Sequence, residues 1–232
     1  MNLKVVFKTI FMCAFLFTTA KVNAQDWANL KRYQEENSTL NAPQRKENRV
    51  VFMGNSISEG WKNAHPDFFS QHPYVCRGIS GQTSSQMLIR FKQDVIALQP
   101  KVVVILAGTN DIAGNNGPST LEMILDNISS MSEIATANKI KVVLCSVLPA
   151  FEYPWSKGKE PNIKIPLLNE MIKNYCKTER YVYLDYFSAM NDGNNGMTAE
   201  YTRDGVHCTS KGYDVMESLV QPAIQKALKS KK

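Results

Sequence analysis

Apolar positions along the chain follow two different spacings, and the spacing sorts the chain into elements. Short continuous apolar runs fall at residues 50–53, 74–79, 101–106, 140–147 and 181–184. The run Val102-Val103-Val104-Ile105-Leu106 has no polar alternation, which predicts a strand covered on both faces. Between these runs apolar residues recur every three or four positions. Met87, Phe91, Val95 and Leu98 mark a helix over residues 87–98. Similar spacing predicts helices over residues 119–138, 165–178 and 210–228, with Val215, Leu219 and Ile224 among the core positions of the last. Ser119 with Glu122 three residues on reads as the capping box of the second. Residues 26–37 also read as an amphipathic helix, with Trp27, Leu30 and Tyr33 on one side.

Strand and helix therefore alternate about five times. That order predicts an α/β fold, a three-layer α/β/α sandwich around a central, mostly parallel sheet of about five strands. The chain of 232 residues suits one such domain. In an open sheet of this kind ligands sit beyond the carboxyl ends of the strands, so chemistry is expected in the turns that follow them.

The amino end changes the picture of where that domain starts. Lys4 and Lys8 precede an apolar run from Ile10 to Phe17, and a polar stretch ends Val22-Asn23-Ala24. This is the three-part pattern of a secretory signal, and the apolar run is shorter than a membrane span needs. The expected division is residues 1–24 as signal peptide and 25–232 as one domain, exported to the periplasm or the medium without stable membrane insertion. The leader holds Lys4, Lys8 and Lys21 and no acid, so its removal lowers the formal net charge of +6 by three. A balance that mild excludes the concentrated basic face of a nucleic-acid binder. Cys76, Cys145, Cys176 and Cys208 remain; sequence does not choose among their pairings, and Cys145 reads as a small buried hydrophobe. No CxxC or histidine-rich cluster points to a metal.

Four turns carry candidate chemistry. After the first strand comes Gly54-Asn55-Ser56-Ile57, which places a serine where a strand hands over to a helix. Ser56 there is either a nucleophile or a plain helix cap. After the second strand, Gly81 in Ser80-Gly81-Gln82-Thr83 can bring a backbone amide close to a ligand, or simply make a tight turn before a cap at Thr83. After the third, Gly108-Thr109-Asn110-Asp111 offers the Asn110 amide as a donor to an oxyanion, or as an Asx turn. Before the last helix, Asp204-Gly205-Val206-His207 lets a carboxylate meet an imidazole across a glycine, although Asp-Gly is also a common surface turn. His65 and His72 each precede a proline and have no acid at comparable spacing, so His207 is the natural base if a serine hydrolase is present.

Taken together, in this order, these turns resemble those of the SGNH hydrolases, the GDSL-like esterases and lipases, over about residues 48 to 230. Ser56 matches the block-one serine, Gly81 the block-two glycine, Asn110 the block-three asparagine, and Asp204 with His207 the block-five pair. The string Gly54-Asn55-Ser56-Ile57-Ser58-Glu59-Gly60-Trp61 is similar to bacterial acetylhydrolase-like members. The resemblance implies a serine esterase with Ser56, His207 and Asp204 as triad. It also implies an oxyanion hole from the Ser56 and Gly81 amides and the Asn110 side chain, and no cofactor. Asn55 stands where the name-giving motif has Asp, which removes a charge beside the nucleophile and leaves the effect on substrate choice or pH profile open; Asn55 and Trp155 are the candidate substrate-binding residues.

The expected substrate is a small-molecule or glycan ester with a short acyl group, acetyl on a carbohydrate foremost. The aromatic segment 150–158, with Trp155, could stack on a sugar ring, cover an acyl group, or merely pack over the sheet edge. Trp61 is a core candidate. A lysophospholipase, thioesterase or phospholipid-acetyl hydrolase on the same triad is the alternative, and a non-catalytic binding protein on the same scaffold is a further one.

Overall fold

A computed structural model describes residues 26–230. The predicted signal peptide lies outside the described residues. Five strands, β1 (Val50–Gly54), β2 (Tyr74–Gly78), β3 (Val102–Ile105), β4 (Lys141–Cys145) and β5 (Val182–Leu184), form one sheet in the order β2-β1-β3-β4-β5. Every neighbouring pair is parallel; Phe52 stands opposite Cys76 on one side and Val104 on the other. The α/β/α expectation is met, with a sheet that is wholly rather than mostly parallel.

The period-two geometry of a strand explains the layers. Val51, Met53, Val103, Ile105, Val142 and Leu144 point into one apolar core. Their neighbours Val50, Phe52, Val102, Val104, Val143 and Cys145 point into the other. The first core is closed by α4 (Ser84–Asp94), α6 (Leu121–Ala137) and α7 (Pro161–Glu179), through residues such as Phe91, Ile128 and Leu168. The second is closed by α2 (Ser56–Ala64), α3 (Pro66–Ser70), α8 (Tyr186–Met190) and α9 (Ser210–Lys229). Trp61 is buried here, stacked between Phe68 and Tyr213 at 5.0 and 6.0 Å. All four described cysteines are buried free thiols.

Several boundaries differ from expectation. Residues 26–33 are a chain of turns, and only α1 (Gln34–Thr39) is helical. Asn29 takes φ 55°, and the carbonyls a helix would need are used elsewhere. Gln86, Gln82 and Gln93 donate their side-chain amides to Trp27 O (2.5 Å), Ala28 O (2.7 Å) and Leu30 O (2.6 Å). Tyr33 is buried as expected, but Trp27 and Leu30 are 45% and 37% exposed, so the supposed apolar stripe is not one. The cap of α6 is Thr120 rather than Ser119; its hydroxyl accepts from Met123 N at 3.2 Å. Helix α7 starts at Pro161, earlier than residue 165, because a proline in the first turn loses no hydrogen bond. The helix expected over residues 87–98 begins at Ser84, behind a Thr83–Gln86 capping box, and ends at Asp94 before a separate turn at Ile96–Leu98.

The strand order sets the site. From β1 the chain crosses to β2 on one side, then returns to lay β3 on the other. The crevice of a doubly wound sheet opens where this reversal occurs, between the carboxyl ends of β1 and β3.

Candidate active site

Ser56 opens α2 at the end of β1, with Asn55 as cap; the buried Asn55 accepts a hydrogen bond from Ile57 N on Oδ1 at 3.0 Å. Asn55 thus holds the turn, and its oxygen is spent on the backbone. Gly54 has to be glycine for space, since a Cβ there would lie 2.0 Å from Ser58 Oγ. From this turn Ser56 Oγ reaches His207 Nε2 at 3.1 Å, and His207 Nδ1 lies 2.7 Å from Asp204 Oδ2. The carboxylate only accepts, so Nδ1 carries the hydrogen, Nε2 is left as acceptor, and the serine hydroxyl donates to it.

The loop that presents Asp204 and His207 is self-bracing. Gly205 at φ +88° turns it, Asp204 Oδ1 accepts from Val206 N (3.0 Å) and His207 N (2.8 Å), and Arg203 N donates to His207 O (2.9 Å). Burial works to raise the Asp204 pKa, but the bonds from the His207 backbone and ring and from Val206 N outweigh it. The carboxyl therefore sits below its ordinary range and stays ionised beside the ring.

Across the crevice, Gly81 sits at φ +76° with room for a Cβ, so the glycine answers the backbone angle rather than crowding. Asn110, buried in the short helix α5 (Thr109–Ala113), donates from Nδ2 to Gln82 O at 2.9 Å. That bond ties the turn after β3 to the loop after β2. The same amide carries a second hydrogen. A row in which a hydroxyl, an imidazole and a carboxylate are linked, facing amide donors, can pass a proton from serine to histidine as the serine attacks an acyl carbon.

Sequence reasoning missed the supports. Arg90 on α4 is 0% exposed. Its guanidinium donates to Gly54 O (3.1 Å), Arg77 O (2.8 Å), Gln82 Oε1 (2.6 Å) and Asp94 Oδ2 (3.0 Å), tying the ends of β1 and β2 to the Gly81 loop. Asp111 accepts from Ser84 N (3.0 Å) and Ser84 Oγ (2.6 Å) and pins the start of α4; burial raises its pKa against those bonds. The only local signal for the first was an Arg and an Asp four apart on one helix.

Trp155 borders the site. It is 45% exposed, stacks on buried Tyr153 at 5.2 Å and 26°, and lies 5.9 Å from the His207 ring. A cavity of about 430 Å³ lies on the Gly81 side, walled by Trp27, Asn29, Gln82, Gln86 and Asn115. Another of about 440 Å³ lies beside Asp204, walled by Phe151, Lys157 and Met197. A more apolar cavity of about 400 Å³, at Ile140, Val142 and Val182, opens at the opposite ends of the strands and touches none of these residues.

A second serine, histidine and carboxylate meet elsewhere. Ser210 Oγ lies 2.6 Å from His65 Nε2, and His65 Nδ1 lies 2.7 Å from Glu217 Oε1. Glu217 Oε1 also accepts from Trp61 Nε1 at 2.9 Å. With Asp214 this is a cluster of potential metal ligands, but His65 Nδ1 and Glu217 Oε1 are already spent on each other.

Both the sequence and the fold match known proteins. The GDSL-like Lipase/Acylhydrolase family matches residues 52–215. A Bacteroides fragilis protein assigned as an acylhydrolase is 51% identical, with a TM-score of 0.86 over 89% of this chain and 100% of its own. A GDSL-like lipase of Bacteroides thetaiotaomicron is 51% identical, with a TM-score of 0.84 over 86% of this chain and 98% of its own. The acetyl xylan esterase AlAXEase shares the fold at 19% identity, with a TM-score of 0.63 over 75% of this chain and 98% of its own. Among curated proteins no relative matches. The chain belongs to the GDSL-like lipase/acylhydrolase family and is a carboxylic ester hydrolase.

Proposed function

We propose that this hydrolase is an exported serine esterase that removes short acyl groups, acetyl foremost, from carbohydrate hydroxyls. In this reading Ser56 Oγ attacks the ester carbonyl carbon while His207 Nε2 takes its proton. The carbonyl oxygen gains charge and is held by the amides of Ser56 and Gly81 and by the Asn110 side chain. His207 returns the proton to the departing alcohol, leaving an acyl-serine. Water then attacks that acyl group, again giving its proton to His207, and the acid leaves with Ser56 restored. Asp204 fixes the ring and steadies its charged form.

The observation that carries the reading is the unbroken row from Ser56 Oγ through His207 to Asp204, at 3.1 and 2.7 Å, at the reversal point of the sheet. The substrate class rests on the cavity walls. Asn29, Asn115 and Asn116 line the wall beside Gly81 with polar side chains and Trp27 adds an aromatic face, while the Gln82 and Gln86 amides are turned to the Ala28 and Trp27 carbonyls. Amides suit sugar hydroxyls and an indole suits a ring, whereas an acyl chain gains little from such a wall. An acetyl xylan esterase of the same fold is consistent with this reading. Export rests on the leader pattern of residues 1–24. Among the described residues no helix is long and apolar enough to cross a membrane.

The test is hydrolysis of p-nitrophenyl acetate, butyrate and octanoate and of acetylated oligosaccharides, alongside labelling by a fluorophosphonate. Labelling that maps to Ser56, with acetate cleaved fastest, is the expected result. Octanoate cleaved fastest would replace the carbohydrate reading with a lipid or thioester one. A folded protein that takes no label would return the chain to a binding role.

A further inference from the structure

The turns that follow β3 and β4 stand side by side at the mouth of the site. The two turns are bridged. Trp155 Nε1 donates to Asn115 Oδ1 at 3.2 Å, and Ser156 Oγ donates to Ala113 O at 2.7 Å. Beneath the bridge Tyr153 is fully buried, with its hydroxyl 3.4 Å from Thr109 Oγ1 and its ring stacked under Trp155. Asn115 faces the other way as well, donating from Nδ2 to Gly81 O at 3.1 Å. A continuous wall therefore runs from the His207 ring, 5.9 Å from the indole, through Trp155 and Asn115 to Gly81.

Resting on the esterase reading above, we infer that Trp155 and Asn115 form the gate that limits acyl length. A small acyl group on Ser56 fits inside the wall. A longer chain runs into the indole, and it enters only when the Trp155–Asn115 hydrogen bond opens and the ring swings out. The ring is half-exposed and stacks on Tyr153, so removing it opens the wall without emptying a core. The link from Asn115 to Gly81 further couples the gate to the loop that carries an oxyanion amide.

The experiment is the ratio of kcat/KM for p-nitrophenyl octanoate to that for the acetate, measured on the wild type, Trp155→Ala, Trp155→Phe and Asn115→Ala. One misplaced methylene in a fitted pocket changes such a ratio by about 10- to 200-fold. The Trp155→Ala ratio is expected to rise about tenfold or more. Asn115→Ala removes the acceptor but leaves the ring, and its ratio should rise by less. Trp155→Phe keeps a ring without the N–H and should fall between the wild type and Trp155→Ala. If the wild type discriminates against octanoate but all three variants keep its ratio and its melting temperature, the gate is overturned and the short-acyl reading stands. If the wild type prefers octanoate, both fall together. If Trp155→Ala does not fold, the other two variants decide.

Discussion

Two rows of serine, histidine and carboxylate exist among the described residues, and by distance alone the one away from the proposed site looks better. Ser210, His65 and Glu217 are linked at 2.6 and 2.7 Å, against 3.1 and 2.7 Å for Ser56, His207 and Asp204. The difference lies in what surrounds each. The Ser56 row stands at the carboxyl ends of the sheet, opposite Gly81 and Asn110 and between two cavities. The Ser210 row joins the start of α9 to the junction of α2 and α3. Its carboxylate is shared with Trp61, which packs on Tyr213, while Tyr213 donates to Ile57 O at 3.0 Å. In the proposed reading one row faces a space where a substrate is held with amides around its developing charge; the other stitches two helices over an aromatic cluster. Three linked groups make a proton path, and catalysis also needs a site that stabilises the oxyanion.

The comparison is tested most severely by exchanging the two serines for alanine one at a time. Ser56→Ala should lower kcat by about 10⁴-fold or more, the scale on which removing a triad nucleophile acts. Ser210→Ala should leave kcat/KM within about twofold. A steady-state assay on p-nitrophenyl acetate reads both. The reverse pattern would transfer the active site to α9.

A smaller loss should separate the rows by their surroundings. Asn110→Ala removes a donor to the proposed oxyanion and should lower kcat by about 100- to 1000-fold. KM should change little, because the bond tightens as charge develops. A loss confined to KM would mean that Asn110 only ties the Gln82 loop in place through its 2.9 Å bond.

How far the sequence reveals each row follows from the distance over which its contacts act. The central strands are legible because residues such as Val102 to Ile105 are buried on both faces and so lack polar interruptions. Helices of five residues, α3, α5 and α8, are too short to show a period and were not foreseen. Asp204 and His207 are legible because their pairing is local, three residues apart. His65 was set aside for lacking an acid nearby, yet its carboxylate is 152 residues away on α9. Arg90 and Asn115 escaped for the same reason: their partners at the site, Gly54 and Gly81, are 36 and 34 residues distant. Residues 26–33 misled in the opposite sense. Their spacing was helical, but three glutamines of the Gln82–Gln93 region captured the carbonyls that a helix would have used.

The smallest expected effect belongs to the second row and concerns stability alone. His65→Ala removes two hydrogen bonds, to Ser210 and Glu217, and leaves Glu217 with only the Trp61 N–H. Glu217 is partly exposed, so water can replace the lost donor. The net cost of such bonds is about 1–2 kcal/mol. In a domain of this size each kcal/mol moves the melting temperature by about 2–4 °C. His65→Ala should therefore melt a few degrees below the wild type, while its kcat/KM at low temperature stays within about twofold. His207→Ala should show the opposite: a melting temperature close to that of the wild type, because the ring is partly exposed, with turnover lost. Thermal unfolding and an ester assay on the two variants would read the division directly, and an activity loss in His65→Ala at temperatures where it remains folded would mean that the helix stitch and the catalytic row are coupled through α2, which begins with Ser56 itself.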